Sequence, residues 1–208
     1  MAFFRLCFSG FLLLLVFLSH AWAKEFPVTE APVDACSPKG LAKKNLSDNL
    51  IENGSFENPQ LTHGSWAVFT KINGWTTIAG PGIEIQNNAA GASFDGTQFV
   101  ELDSHANSMF EQIVPIKPKR NYCVKFAYSP RPGVAMESQG IRVWLNKKVV
   151  KIVKRQGTGL FDTQWQDIYV NWTSPSSATF TSLWFEAYGK SDSTGGYLDA
   201  VEMYVLPP

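Results

Sequence analysis

From Ser65 onward, apolar residues recur at every second position in short runs separated by turn residues, and no run of ten or more residues keeps a helical period. Gly82–Gln86 alternates so that Ile83 and Ile85 point inward and Glu84 and Gln86 outward. In Gln98–Asp103, entered through the Asp95-Gly96 turn, Val100 and Leu102 share one face while Phe99, Glu101 and Asp103 share the other. Tyr122, Val124, Phe126 and Tyr128 line one face of Asn121–Ser129, which Pro130-Arg131-Pro132-Gly133 ends. Further strands are predicted over Ser65–Ile72, Met109–Pro115, Trp165–Thr173, Thr179–Tyr188 and Leu198–Leu206, with a hairpin over Ile141–Val153 around Asn146-Lys147-Lys148. About ten short strands with regular turns make the chain all-β, an antiparallel β-sandwich or barrel.

The first residues follow a different pattern. Arg5, an apolar stretch over Leu6–Leu18 and Ala21-Trp22-Ala23 predict a signal peptide over residues 1–23. The stretch is shorter than the roughly 20 residues a membrane span needs, so a secreted or surface-exposed product with no span in the mature chain is expected. Residues 24–45 hold Pro27, Pro32, Pro38 and Lys43-Lys44 but no periodic hydrophobics, and read as an arm or linker. One domain follows over 46–208. Without Arg5 the chain carries 17 basic against 18 acidic side chains in no blocks, which gives no footprint for nucleic acid. It is expected to be monomeric. Cys36 and Cys123 are the cysteines left after the leader, and an exported chain would pair them. So long a loop allows roughly 4–5 kcal/mol by closure entropy.

Sugars are gripped by flat aromatic rings on their C–H faces and by planar side chains on their hydroxyls. The outward-facing candidates are Glu84, Gln86, Glu101 and Asp103, joined by Arg131 in the Ser-Pro-Arg-Pro-Gly turn. Trp66, Trp75, Trp144 and Trp165 form the aromatic pool, with Trp75 after the Asn73-Gly74 turn taken as the binding ring. An enzyme is the rival class. His63 and His105 are the histidines beyond the leader and neither sits in a metal motif, no Gly-x-Ser-x-Gly elbow occurs, and Glu84 with Glu101 is a candidate for the paired carboxylates of a glycosidase. A third class, an adhesive or structural surface protein, predicts an exposed apolar patch and no polar cleft.

Two stretches at opposite ends carry a resemblance. Asn49-Leu50-Ile51-Glu52-Asn53-Gly54-Ser55-Phe56-Glu57 and Tyr197-Leu198-Asp199-Ala200-Val201-Glu202-Met203 resemble the opening and closing strands of galactose-binding-like jelly rolls, a superfamily that includes many carbohydrate-binding modules. The resemblance implies that the terminal strands lie together and that Glu57 and Asp199, with a carbonyl such as that of Ser55, hold a structural calcium ion. Ala200 departs from the second acid found in many relatives. The segments Gly64–Phe69, Ile72–Trp75, Ile83–Gln86, Val100–Ser104 and Tyr128–Gly133 are also similar to a bacterial branch of exported proteins related to plant cell-wall proteins with a domain of unknown function. That similarity implies association with a polysaccharide such as a cell-wall glycan. The expected function is non-catalytic carbohydrate binding.

Overall fold

The structure is a computed structural model that describes residues 34–42 and 49–207. The predicted signal peptide and residues 24–33 and 43–48, which hold the rest of the arm and the first residues of the predicted domain, lie outside the described residues. A five-residue helix, α1 (Pro38–Ala42), precedes twelve strands. These are β1 (Trp66–Phe69), β2 (Lys71–Ile72), β3 (Trp75–Ala79), β4 (Ile83–Gln86), β5 (Phe99–Glu101), β6 (Met109–Pro115), β7 (Asn121–Ser129), β8 (Ile141–Leu145), β9 (Lys148–Val153), β10 (Gln166–Thr173), β11 (Phe180–Ala187) and β12 (Tyr197–Val205).

Two six-stranded antiparallel sheets face one another: sheet A in the order β1-β4-β5-β12-β7-β10 and sheet B in the order β2-β3-β6-β11-β8-β9. The fold is therefore all-β, an antiparallel β-sandwich of jelly-roll type. The inward sets read from the alternation, Ile83/Ile85, Val100/Leu102 and Tyr122/Val124/Phe126/Tyr128, all belong to one core between the sheets. Its centre is aromatic. Trp75 lies 5.6 Å from both Phe56 and Phe110 and 5.8 Å from Phe185, which packs 5.3 Å from Phe126.

Three local expectations change. The single strand predicted over Ser65–Ile72 is two, because the chain leaves sheet A at Thr70 and enters sheet B at Lys71. Trp75–Ala79, read only as a turn and an aromatic, is β3, paired to β2 across the Asn73-Gly74 turn. The arm is not a bare linker over 34–42: Leu41 and Cys36 pack with Cys123 and Leu206, and Cys36 is disulfide-bonded to Cys123 with Cα atoms 5.2 Å apart. The Asn146-Lys147 turn has both residues at positive φ (50° and 61°), the left-handed geometry that a two-residue hairpin requires.

The two chain ends meet as the resemblance implied. Leu50 N–H donates to the Met203 carbonyl, Val201 N–H donates to the Gly54 carbonyl, and Asn49 Oδ1 accepts from Met203 N–H. Gly54 is required by space: a Cβ there would stand 1.9 Å from the Val201 carbonyl oxygen.

Candidate functional site: two pairs of acids

The first pair stands where the chain ends meet. Glu57 Oε1 accepts backbone N–H from Thr97 and Gln98 at 2.8 and 2.7 Å, and Oε2 accepts from the Thr97 hydroxyl at 2.9 Å. Asp199 Oδ2 accepts from Phe94 and Asp95 N–H, both at 2.9 Å, while Oδ1 accepts from Ala200 N–H at 2.6 Å. One acid from each chain end thus grips the same 94–98 loop. Each is aimed by a non-glycine neighbour in the left-handed region: Phe56 at φ 58° before Glu57, and Ala200 at φ 47° after Asp199. Such backbone costs about 1–2 kcal/mol per residue and persists where its surroundings over-determine it. Phe56 is fully buried against Trp75, and Ala200 sits in the β-bulge between Asp199 and Glu202 that breaks the β12–β7 register.

Asp199 is fully buried, and burial pushes its carboxyl up to about 7 even though three backbone N–H groups pull it down. Among the described residues neither Asp199 nor Glu57 has an ion-pair partner, and no three acids, histidines or cysteines cluster. Hard oxygen donors with uncompensated charge suit calcium, but with only two carboxylates the rest of a six- to eight-oxygen shell falls to carbonyls and water.

The second pair lies on the outer face of sheet A. Glu84 and Glu101 are directly opposite across β4 and β5, with side chains on one face. A pocket of about 390 Å³ opens over them, lined by Trp66, Glu84, Gln86, Ala89, Ala90, Glu101, Ser104, His105, Arg131 and Ser193. Four of the six residues predicted to bind ligand, Glu84, Gln86, Glu101 and Arg131, therefore come together. They do not form an open face as the alternation implied. Glu84, Gln86 and Glu101 are 6%, 3% and 1% exposed, because loops close over the sheet.

Three anchors set that cover. Gly195 N–H donates to Glu101 Oε1, Asp103 Oδ2 accepts from Asp192 and Ser193 N–H at 2.8 and 3.1 Å, and the Tyr197 hydroxyl donates to the Ala90 carbonyl at 3.1 Å. Gly195 and Gly196 permit the approach, since a Cβ on either would meet the Asp103 backbone at 2.4 Å or the Tyr128 hydroxyl at 2.3 Å. Asp103 is thereby corrected from ligand group to loop anchor: it is 1% exposed and does not line the pocket.

Trp75 is the second correction. It has no exposed surface and its indole N–H donates to the Asn53 carbonyl at 3.1 Å, so it backs the first acid pair. Trp66 is the ring available at the pocket, half exposed and edge-on to His105 at 6.2 Å. Trp165 packs on Phe99 and Tyr197 beside the pocket, and Trp144 pairs with Trp184 on sheet B.

Burial, with the adjacent Glu84 carboxylate adding to it, pushes the Glu101 carboxyl up to about 7, against the opposing pull of the Gly195 N–H and of Arg131 at 3.5 Å. Gln86 Nε2 donates to Glu84 Oε1 at 2.8 Å. Gln86 Oε1 and Ser104 Oγ are buried without a hydrogen-bond partner among the described residues. The sequence reading missed Ser104, His105 and Ser193. Ser104-His105 directly follow the Val-Glu-Leu-Asp run, and that adjacency is the signal that could have found them.

No family model and no curated protein matches the chain. Among solved structures it is similar to an arabinose-bound α-L-arabinofuranosidase, with TM-score 0.52 and 14% identity over 77% of this chain and 27% of that one. It is also similar to a family 16 carbohydrate-binding module (TM-score 0.48, 19% identity, 74% and 99% covered) and to a family 61 module in complex with β-1,4-galactotriose (0.46, 17%, 76% and 99%). The chain spans about a quarter of the arabinofuranosidase, and at these identities the likeness is one of fold.

Proposed function

We propose that this is an exported carbohydrate-binding domain that holds a glycan in the pocket on sheet A without altering it. The observation that carries the reading is the pocket's make-up: one half-exposed indole at the rim above buried, planar hydrogen-bonding side chains, with Gln86 Oε1 and Ser104 Oγ lacking partners among the described residues. Stacking on Trp66 would supply affinity, and Gln86, Glu84, Glu101 and Arg131 would read hydroxyls. Calorimetric titration of the purified protein with a panel of oligosaccharides tests the reading. Binding that Trp66→Ala and Arg131→Ala each weaken about tenfold or more is expected; absence of binding across the panel, or turnover of any member, overturns it.

The same reading includes a structural calcium ion at Glu57 and Asp199 with the Ser55 carbonyl, supported by the buried Asp199 carboxyl, which has no ion-pair partner among the described residues. It predicts a melting midpoint that falls on chelation and recovers with added calcium; an unchanged midpoint removes calcium from the account. An adhesive role draws on a separate observation, the exposure of Ile78, Ile113, Val149, Ile152 and Phe180 on strands of sheet B and at its edge. Protein contacts surviving Trp66→Ala would favour it.

A further inference from the structure

The pocket over Glu84 and Glu101 is short of positive charge against its two carboxylates, and that shortage narrows what enters it. Two carboxylates stand directly opposite one another across the ladder, an arrangement that destabilises a sheet when both are charged. Arg131 is the one lysine or arginine among the lining residues, and it reaches only Glu101, at 3.5 Å and partly in solvent. Independently of the acids, Gln86 and Ser104 are among the residues lining the same cavity, are 3% and 6% exposed, and their buried Oε1 and Oγ atoms have no hydrogen-bond partner among the described residues. An unfilled amide oxygen accepts only, so the Gln86 atom calls for a donor on the ligand, and the Ser104 hydroxyl readily takes one. A buried acceptor left without a donor costs the full desolvation of that group.

We propose that the pocket selects a glycan unit bearing a primary ammonium group, a 2-amino-2-deoxyhexose residue, with the ammonium against Glu84 and Glu101, the hydroxyls toward Gln86 and Ser104, and the sugar face on Trp66. An ammonium brings three donors and no acceptor, the complement of this lining. It supplies the second positive charge that the carboxylate pair lacks, in a covered site where charge-assisted hydrogen bonds are strongest. The elevated affinity of Glu101 for its proton shows the same deficit, since burial and the Glu84 charge leave its ionised form under-compensated. An N-acetylated unit removes the charge and adds a carbonyl acceptor, and a uronic acid places a third carboxylate beside the first two. Both are disfavoured. The proposal rests on the carbohydrate reading and deepens it.

Calorimetric titration of the whole protein with four length-matched oligosaccharides tests it: β-1,4-linked glucosamine, N-acetylglucosamine, glucose and glucuronate oligomers. The glucosamine oligomer is expected to bind about tenfold or more tighter than each of the others, the scale of one charge-assisted hydrogen bond. Glu84→Gln and Glu101→Gln, near-isosteric changes whose folding a melting curve verifies, are expected to bring the four ligands within about threefold of one another. Equal or tighter binding of a neutral, acetylated or acidic oligomer overturns the inference and leaves the glycan-binding reading standing. A preference that persists in both variants also overturns it, because the ammonium is then recognised elsewhere. Failure of all four to bind, with binding of other glycans, overturns the inference alone; no glycan binding at all overturns both readings.

Discussion

The two acid pairs of this domain are built from the same parts, two carboxylates and a tryptophan, and do opposite things with them. At the meeting of the chain ends, Glu57 and Asp199 direct their oxygens at backbone N–H groups of one loop, and Trp75 is sealed behind them with its N–H on the Asn53 carbonyl. Over sheet A, Glu84 and Glu101 face a cavity, acceptors beside them are unmatched, and Trp66 stands half in solvent. A carboxylate turned onto its own backbone holds structure. One that looks into a lined space with unmatched neighbours is free to hold something else.

That contrast is open to direct attack. The largest effect belongs to the sealed indole: Trp75→Ala is expected to cost about 3–5 kcal/mol in a denaturant titration, whereas Trp66→Ala leaves the unfolding midpoint in place and acts on glycan binding alone. Equal destabilisation by both would erase the distinction between the two regions. Next comes Asp199→Ala, which strips partners from three backbone N–H groups and is expected to cost about 3 kcal/mol or more, with affinity for glycan unchanged at temperatures where the variant is folded. A loss of affinity would mean that the 94–98 loop reaches the pocket.

The smallest effect is the pH dependence of the pocket itself. Glu101 has its folded value near 7 against 4.5 for the free side chain, raised first by burial and then by Glu84 and, less, Asp103, and lowered by the Gly195 N–H and Arg131. Between those values the native protein holds the proton and the unfolded chain does not. The contribution is therefore complete below about 4.5 and is lost as pH rises to about 7. Melting curves across that window are expected to show the ligand-free protein losing several degrees more than Glu101→Gln. Parallel slopes would show that Glu101 is not the titrating group.

Much of this was readable before any coordinates. Alternation placed Ile83, Ile85, Val100 and Leu102 in the core and put Glu84, Gln86 and Glu101 on one outer face, because side-chain direction along a strand is a local property. The cover over that face was not readable. It depends on Gly195 bonding Glu101 and Asp192 bonding Asp103, contacts that join residues 94 and 89 positions apart. The choice between Trp66 and Trp75 failed for a related reason. Both follow a small residue and open a short strand, and what separates them is the transfer between sheets at Thr70, which puts Trp75 in the centre of the sandwich and leaves Trp66 on its outside. The constraint on Gly54 was hidden too, because it comes from the β12 backbone pressed against it.

The union of Cys36 with Cys123 has a practical side. Cys123 lies near the start of β7 and Leu206 packs against it, whereas Ser129 and Arg131 lie about 20 Å away at the strand's other end, by the pocket. Both described extremities of the polypeptide thus emerge at the pole remote from Arg131. A bead, a fluorophore or a neighbouring module attached through either one would leave the mouth of the cavity pointing outward and unobstructed.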